Sequence, residues 1–243
     1  MKERLHKYLS RCGLGSRRKC EEIIKRGEIS VNCVTISNMG FSIDPEIDSV
    51  YFRDKRVYPQ DFVYWALYKP TNVVCSCKPD KKYKRVIDFL PESDYRLYPV
   101  GRLDADSEGL IIITNDGTLC NKVTHPKFGV DKEYQVKINS TLSSEEIKQI
   151  ESGIIIDDNY LAKPKIKETV NSLKSCTINL ILNEGKNREI RKIFGAIEKR
   201  VILLKRLRIG PVELGKLKEG EYRLLNKDEI NKLKNTIAKE TQK

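Results

Sequence analysis

Residues 109–114 read Gly-Leu-Ile-Ile-Ile-Thr, with no polar residue inside the apolar run at either helical or alternating spacing. A segment this short and this uniformly apolar reads as a buried strand, so the rest of the chain must supply the core around it. Further strand signals surround it. Residues 62–68 are stopped by Pro70, and residues 134–138 and 176–182 alternate as half-buried strands. Helical signals stand singly between these strands. Ser143 and Glu146 form a capping box ahead of a helix that Gly153 ends. Residues 187–196 open a helical stripe of Ile190, Ile193, Phe194 and Ile197, and residues 228–239 carry Ile230, Leu233 and Ile237. Lacking the repeated βαβ spacing of a doubly wound fold, this pattern predicts an α+β domain on a largely antiparallel sheet.

The first 58 residues follow another plan. Leu5, Tyr8, Leu9 and Cys12 repeat at the spacing of an amphipathic helix, and Gly13 and Gly15 punctuate its end. Ser16 suits the N-cap of a second helix, Cys20, Ile23 and Ile24 give it an apolar stripe, and Gly27 sits where a left-handed terminal residue belongs. Ile29, Val31, Val34 and Ile36 alternate about Asn32-Cys33, as in a hairpin. Residues 53–61 are polar, contain Pro59 and read as a linker, so two domains are expected, over residues 1–58 and 59–243.

The 46 Lys and Arg against 34 Asp and Glu give a net charge of +12. Residues 1–26 hold nine basic residues against three acids, residues 186–208 hold nine against two, and the remaining chain is close to neutral. Two basic patches on a neutral body are the footprint of a polyanion, and nucleic acid is the expected partner. The candidate contacts are Arg4, Lys7, Arg11, Arg17, Arg18, Lys19, Lys25 and Arg26 in the first patch and Lys186, Arg188 and Lys192 in the second, with Arg102 between them.

Seven cysteines and two histidines lack any paired zinc-ligand spacing, so reduced thiols and no metal are expected. No apolar run approaches the ~20 residues of a membrane helix. The charged start MKERLHKYLS leaves no room for a secretory apolar core, so a cytoplasmic protein is expected.

The segment RLHKYLSRCGLGSRRKCEEIIKRGEISVN resembles an S4 RNA-binding domain along nearly its whole length, departing at Cys33, where Gly is usual. The string GRLDADSEGLIIITNDG (101–117) resembles the aspartate motif of the RsuA/RluB-type pseudouridine synthases, which act on ribosomal RNA. KEYQV (132–136) resembles their tyrosine motif, and NEGKNREIRKIF (183–194) their arginine motif. LKRLRIGPVELGKLKEGEYRLL (204–225) extends the resemblance almost to the C-terminus. Ser107, Lys186 and Glu189 stand where Thr, Arg and Gln are common.

The resemblance implies catalysis by Asp104, Tyr134 and Arg191, ribosomal RNA as substrate (a structured stem-loop or a pre-ribosomal particle), and no cofactor. No obligate protein partner is implied, and a monomer is expected. Such an enzyme breaks the C1′–N1 bond of uridine and joins C1′ to C5. A carboxylate can stabilise the developing oxocarbenium charge, add to C1′ covalently or remove the C2′ proton, and the residues are compatible with all three. Arg191 is expected to pair with Asp104, and Tyr134 to stack on the flipped base. Standing alone, Tyr134 would read as a core aromatic and Arg191 as a phosphate contact. Asp106 and Asp116 read as turn or cap residues, His125 as structural, and Lys69-Pro70 as a strand end near the site. YPVGRLD, KEY and RIGP favour the large-subunit RluB type, the small-subunit RsuA type being the nearer alternative. A non-catalytic S4 protein that binds RNA or ribosomes is the rival class, and it has no use for an acid that repels phosphate.

Overall fold

The computed structural model describes residues 2–157 and 159–241. The chain forms two compact units, one of residues 1–63 with 92–96, the other of residues 64–91 with 97–243.

In the first unit, α1 (Leu5–Arg11) and α2 (Arg17–Lys25) precede β1 (Ile29–Val31), β2 (Val34–Ile36), β3 (Val50–Phe52) and β4 (Lys55–Arg56). The four strands form a sheet in the order β2-β1-β3-β4. Ser16 caps α2 by accepting from the Lys19 amide at 3.1 Å. The apolar stripes predicted from sequence face inward except at Val34, which is exposed: Leu5, Tyr8, Leu9, Cys20, Ile23, Ile24, Ile29, Val31 and Ile36 share one core, each large side chain worth about 1.5–3 kcal/mol on burial. Asn32 and Cys33 both adopt positive φ, 49° and 68°, so the hairpin keeps the turn that favours Gly at the second position although Cys33 carries a Cβ.

The unit also extends past the expected boundary at residue 58. β4 pairs with β3, the Val57 amide donates to Val50 O and the Gln60 amide to Arg11 O, both at 3.0 Å, and the Arg11 guanidinium lies 5.8 Å from the Phe62 ring centroid. Residues 53–61 are therefore pinned to the first unit and do not form a free linker.

The second unit contains β5 (Tyr64–Lys69), β6 (Glu108–Thr114), α3 (Gly117–Thr124), β7 (Lys132–Ile138), α4 (Ser144–Ser152), β8 (Lys165–Ser172), β9 (Ser175–Leu182), α5 (Glu189–Ala196), β10 (Val201–Ile209), β11 (Tyr222–Leu224) and α6 (Lys227–Thr241). A mixed nine-stranded sheet runs β8-β9-β7-β10-β6-β5-β11, with short strands at Tyr98–Pro99 and Val212–Glu213 on β6 and β10. Its ladders are antiparallel except β6–β10, a parallel contact of two residue pairs, Glu108 with Lys205 and Gly109 with Arg206.

The uniform run in β6 is explained by its two faces. Leu110 and Ile112 pack with Leu119 and Val123 of α3 and with Leu233 and Ile237 of α6, while Ile111 and Ile113 pack with Leu67, Val73 and Val86 on the other side. A third core joins β7, β9 and β10 to α4 and α5. The capping box at Ser143 and Glu146 is present in both directions. Asn226 and Glu229 make the same exchange, which places the start of α6 at Lys227. Helix α5 begins at Glu189, two residues later than predicted, because Arg188 is left-handed (φ 52°, ψ 32°).

Candidate active site

Asp104 sits on the loop before β6, and that loop is fixed from three directions. The Asn72 amide donates to Ala105 O at 2.7 Å, the Leu103 amide to Cys75 Sγ at 3.3 Å, and the buried Lys69 ammonium to Ser107 O at 2.6 Å and Pro70 O at 2.8 Å. Lys69 is thus the strand end that the sequence indicated, and it ties β5 to the Asp104 loop. Burial pushes its ammonium down to about 8. The loop borders an open pocket of about 280 Å³, lined by Asp104, Ser107, Lys132, Tyr134, Arg188 and Arg206 among others.

Tyr134 reaches the pocket from β7, where it is buried and lies opposite Arg206 of β10 across a register shift at Glu133 and Tyr134. Arg102, exposed, borders the same pocket. Asp104 and Tyr134 therefore share one cavity, as expected.

Arg191 does not pair with Asp104. Its Nη2 lies 3.2 Å from the Asp106 carboxylate and donates to Asp106 O at 3.1 Å, and Nη1 donates to Val201 O at 3.3 Å. The guanidinium beside Asp104 belongs to Arg188, at 3.5 Å, and this arginine also lies 3.4 Å from Asp106. The reason is the left-handed turn at Arg188, which ends the loop and sets Arg191 in the first turn of α5, against Asp106 and the start of β10. Asp106 is consequently a shared acid between two arginines and not merely a turn former. Asp116 does cap α3, accepting from the Thr118 and Leu119 amides at 3.0 Å, and His125 Nδ1 accepts from the Lys127 amide. Glu189 makes no bond to Arg191. It is buried, burial raises its carboxyl, and it accepts from the Lys186 amide at 2.9 Å.

The remaining basic candidates divide by their partners. Arg11 pairs with Glu3 at 2.6 Å, Lys19 with Glu22 at 3.4 Å and Arg26 with Glu28 at 3.8 Å. Arg4 donates to Gly40 O, Lys192 pairs with Asp157, and the Lys186 ammonium lies 3.1 Å from the Tyr160 ring centroid. Nearby acids, a carbonyl and a ring thus occupy these groups. Among the described residues, Lys7, Arg17, Arg18 and Lys25 have no such partner, and the last three are exposed.

Two buried cations at the pocket escaped sequence reasoning. Lys132 donates to Val130 O at 2.9 Å and Asn183 O at 3.2 Å, and burial, with Arg206 adding to it, pushes its ammonium down to about 8. Arg206 is 2% exposed and its Nε donates to Leu110 O at 2.8 Å. The signal was alternation: Leu204 and Arg206 share a face of β10, and Leu204 is core. All seven cysteines are free thiols, and among the described residues no cluster has a metal-binding composition and no helix is long and apolar enough to cross a membrane.

The RNA pseudouridylate synthase family model matches residues 63–196, and the S4 domain model matches residues 3–46. Ribosomal large subunit pseudouridine synthase B of Bacillus subtilis is 37% identical over 234 residues, covering 96% of each chain. The Vibrio vulnificus protein of the same name is 31% identical over 250 residues, covering all of this chain and 78% of that one. A crystal structure of a pseudouridylate synthase superposes with a TM-score of 0.68 at 28% identity, covering 95% of this chain and 99% of the other. With an S4 domain ahead of this sheet and pocket, the chain belongs to the RNA pseudouridylate synthase family, as an RsuA/RluB-type isomerase acting on RNA.

Proposed function

We propose that the chain converts a uridine of large-subunit ribosomal RNA to pseudouridine, with Asp104 as the acting carboxylate. The observation that carries the reading is Asp104 at the rim of a pocket that also holds a buried aromatic ring. A base turned out of its helix can lie against Tyr134 while its C1′ faces the acid. Arg188 lies 3.5 Å from the Asp104 carboxylate and orients it, and Arg191 fixes Asp106 and through it the same loop. Asp104 can then answer positive charge at C1′, bond to it or take the C2′ proton. Every step exchanges bonds within one nucleotide, so no hydride carrier or metal is called for. The exposed Arg17, Arg18 and Lys25 give affinity by phosphate contact without reading bases. The large subunit is preferred over the small because the B. subtilis and V. vulnificus relatives bear that name.

The test is a pseudouridine map of ribosomal RNA from a strain lacking the chain, restored with the wild-type protein or Asp104→Asn. One large-subunit position should vanish and return with the wild type alone. Loss of a small-subunit position instead would move the target, and rescue by Asp104→Asn would remove the acid from the reaction.

A further inference from the structure

Two side-chain atoms at this pocket are buried and lack any hydrogen-bond partner: Nη2 of Arg206 and Oγ of Ser107. Arg206 is 2% and Ser107 1% exposed, and among the described residues no carboxylate pairs with Arg206. Burying a guanidinium without a counter-charge is unfavourable, and an unmade buried hydrogen bond adds to that cost. Arg206 is also held in place, by its Nε bond to Leu110 O and by the close approach of β6 and β10 at Gly109. A rigid donor with a free N–H, facing Tyr134 across the sheet, is built to meet an acceptor that arrives with the ligand.

We propose that Arg206 and Ser107 receive a carbonyl oxygen of the uracil ring. This rests on the pocket being the uridine site. When C1′–N1 breaks, the bonding pair stays on the ring and its charge spreads over N1, O2 and O4. Joining C1′ to C5, losing the C5 proton and gaining one at N1 then restores a neutral isomer of unchanged composition. A fixed cation at a ring carbonyl stabilises the ring more as its charge grows, which lowers the barrier and not only the binding constant. Arginine only donates, so the same contact at O4 rejects cytosine, which offers an amino group there.

The test is a cycle between protein and substrate. Single-turnover rates at saturating enzyme are measured on an RNA that the wild type converts, carrying uridine, 2-thiouridine or 4-thiouridine at the target, because sulfur accepts hydrogen bonds poorly. In the wild type one thio substrate should react about tenfold to a hundredfold more slowly. In Arg206→Lys and Ser107→Ala uridine itself should slow, and the thio penalty should shrink toward one. A wild type indifferent to both sulfur atoms overturns the proposal, as does a penalty that persists in both variants, the sign of a merely structural arginine or of a phosphate contact. If Arg206→Lys fails to fold, the wild type and Ser107→Ala decide. Asp104→Asn run alongside separates the failures: turnover by that variant rejects the pocket as the uridine site, whereas an inactive Asp104→Asn with additive thio effects rejects only the carbonyl contact.

Discussion

Arg188 brings its guanidinium to 3.5 Å from the Asp104 carboxylate from a left-handed backbone, at φ 52°. A non-glycine residue there carries a cost of order 1–3 kcal/mol that the surrounding structure must offset. The ion pairs to Asp104 and Asp106 are what that conformation obtains. Arg191, in the first turn of α5, completes the group by holding Asp106 from the other side.

The first prediction concerns charge at Asp104. Asp104→Asn keeps the side-chain volume and removes the negative charge, so the melting temperature and the RNA dissociation constant should change little while product is abolished. Pseudouridine formed by the purified variant at a measurable single-turnover rate would exclude the carboxylate from the chemistry.

Arg188 and Arg191 should fail differently. Arg191 is 14% exposed and donates to the backbone carbonyls of Val201 and Asp106 besides pairing with the Asp106 carboxylate, so Arg191→Met should lower stability by about 1–3 kcal/mol and the rate with it. Arg188 is 45% exposed, and among the described residues its guanidinium pairs with the two acids alone. Arg188→Met should therefore leave the urea midpoint nearly unchanged and slow the chemical step by an order of magnitude or more. Lys192→Met, which removes a surface pair to Asp157, is the control, and equal effects in all three would dissolve the distinction.

The first unit should act through charge alone. Replacing Arg17, Arg18 and Lys25 by Gln removes exposed cations without breaking an internal pair. The slope of log K against log salt should flatten by about 0.7–0.9 for each phosphate that the protein no longer neutralises. The single-turnover rate at saturation should stay as in the wild type. A slope that does not move would take these residues off the RNA.

Local signals made much of this legible. The unbroken run at 110–113 foretold a buried strand, and Ser16 and Ser143 each capped the helix that the spacing indicated, whereas the helix that Asp116 caps reads in the sequence only as a turn. Asp104 and Tyr134 met in one pocket as the motifs implied. The partner of Arg191 was not legible, because it lies 85 residues away and is selected by the backbone at Arg188. The burial of Arg206 was signalled by its alternation with Leu204 alone, because its side chain is covered by strands distant in sequence. A charged residue on a basic stretch reads as surface until the sheet places it inward.

Two lysines should leave a mark on stability against pH. Lys69 and Lys132 are both pushed down to about 8 by burial, whereas the unfolded chain keeps them near 10.5. Between pH 8 and 10.5 the unfolded state binds more protons than the folded state, so stability from these groups rises with pH across that window and is lost as pH falls through 8. The rise is roughly 3 kcal/mol per lysine. Cys12 and Cys20, raised by burial to about 12 and about 11, act in the opposite direction. The informative quantity is accordingly the difference between wild type and Lys69→Met, followed by urea unfolding. That difference should grow between pH 8 and 10.5, and a flat difference would show an ordinary ammonium at Lys69.

Gly109 is where β6 meets β10, and the prediction there is steric. A Cβ on Gly109 would stand 2.3 Å from Arg206 O and 2.6 Å from Arg206 N, backbone atoms that cannot swing aside, and φ is +105°. The β6–β10 ladder has only two residue pairs, so forcing it apart displaces both Arg206 and the loop that presents Asp104. Gly109→Ala should cost roughly 3 kcal/mol or more, and any folded fraction should react slowly even at saturating enzyme. Gly195, inside α5 with nothing within 4 Å of its Cβ position, is the contrast. There an alanine should raise stability by about 0.5–1 kcal/mol through a stiffer unfolded chain and better helix propensity. Urea midpoints that shift in the same direction for both substitutions would mean that the β6–β10 approach is not what requires glycine at 109.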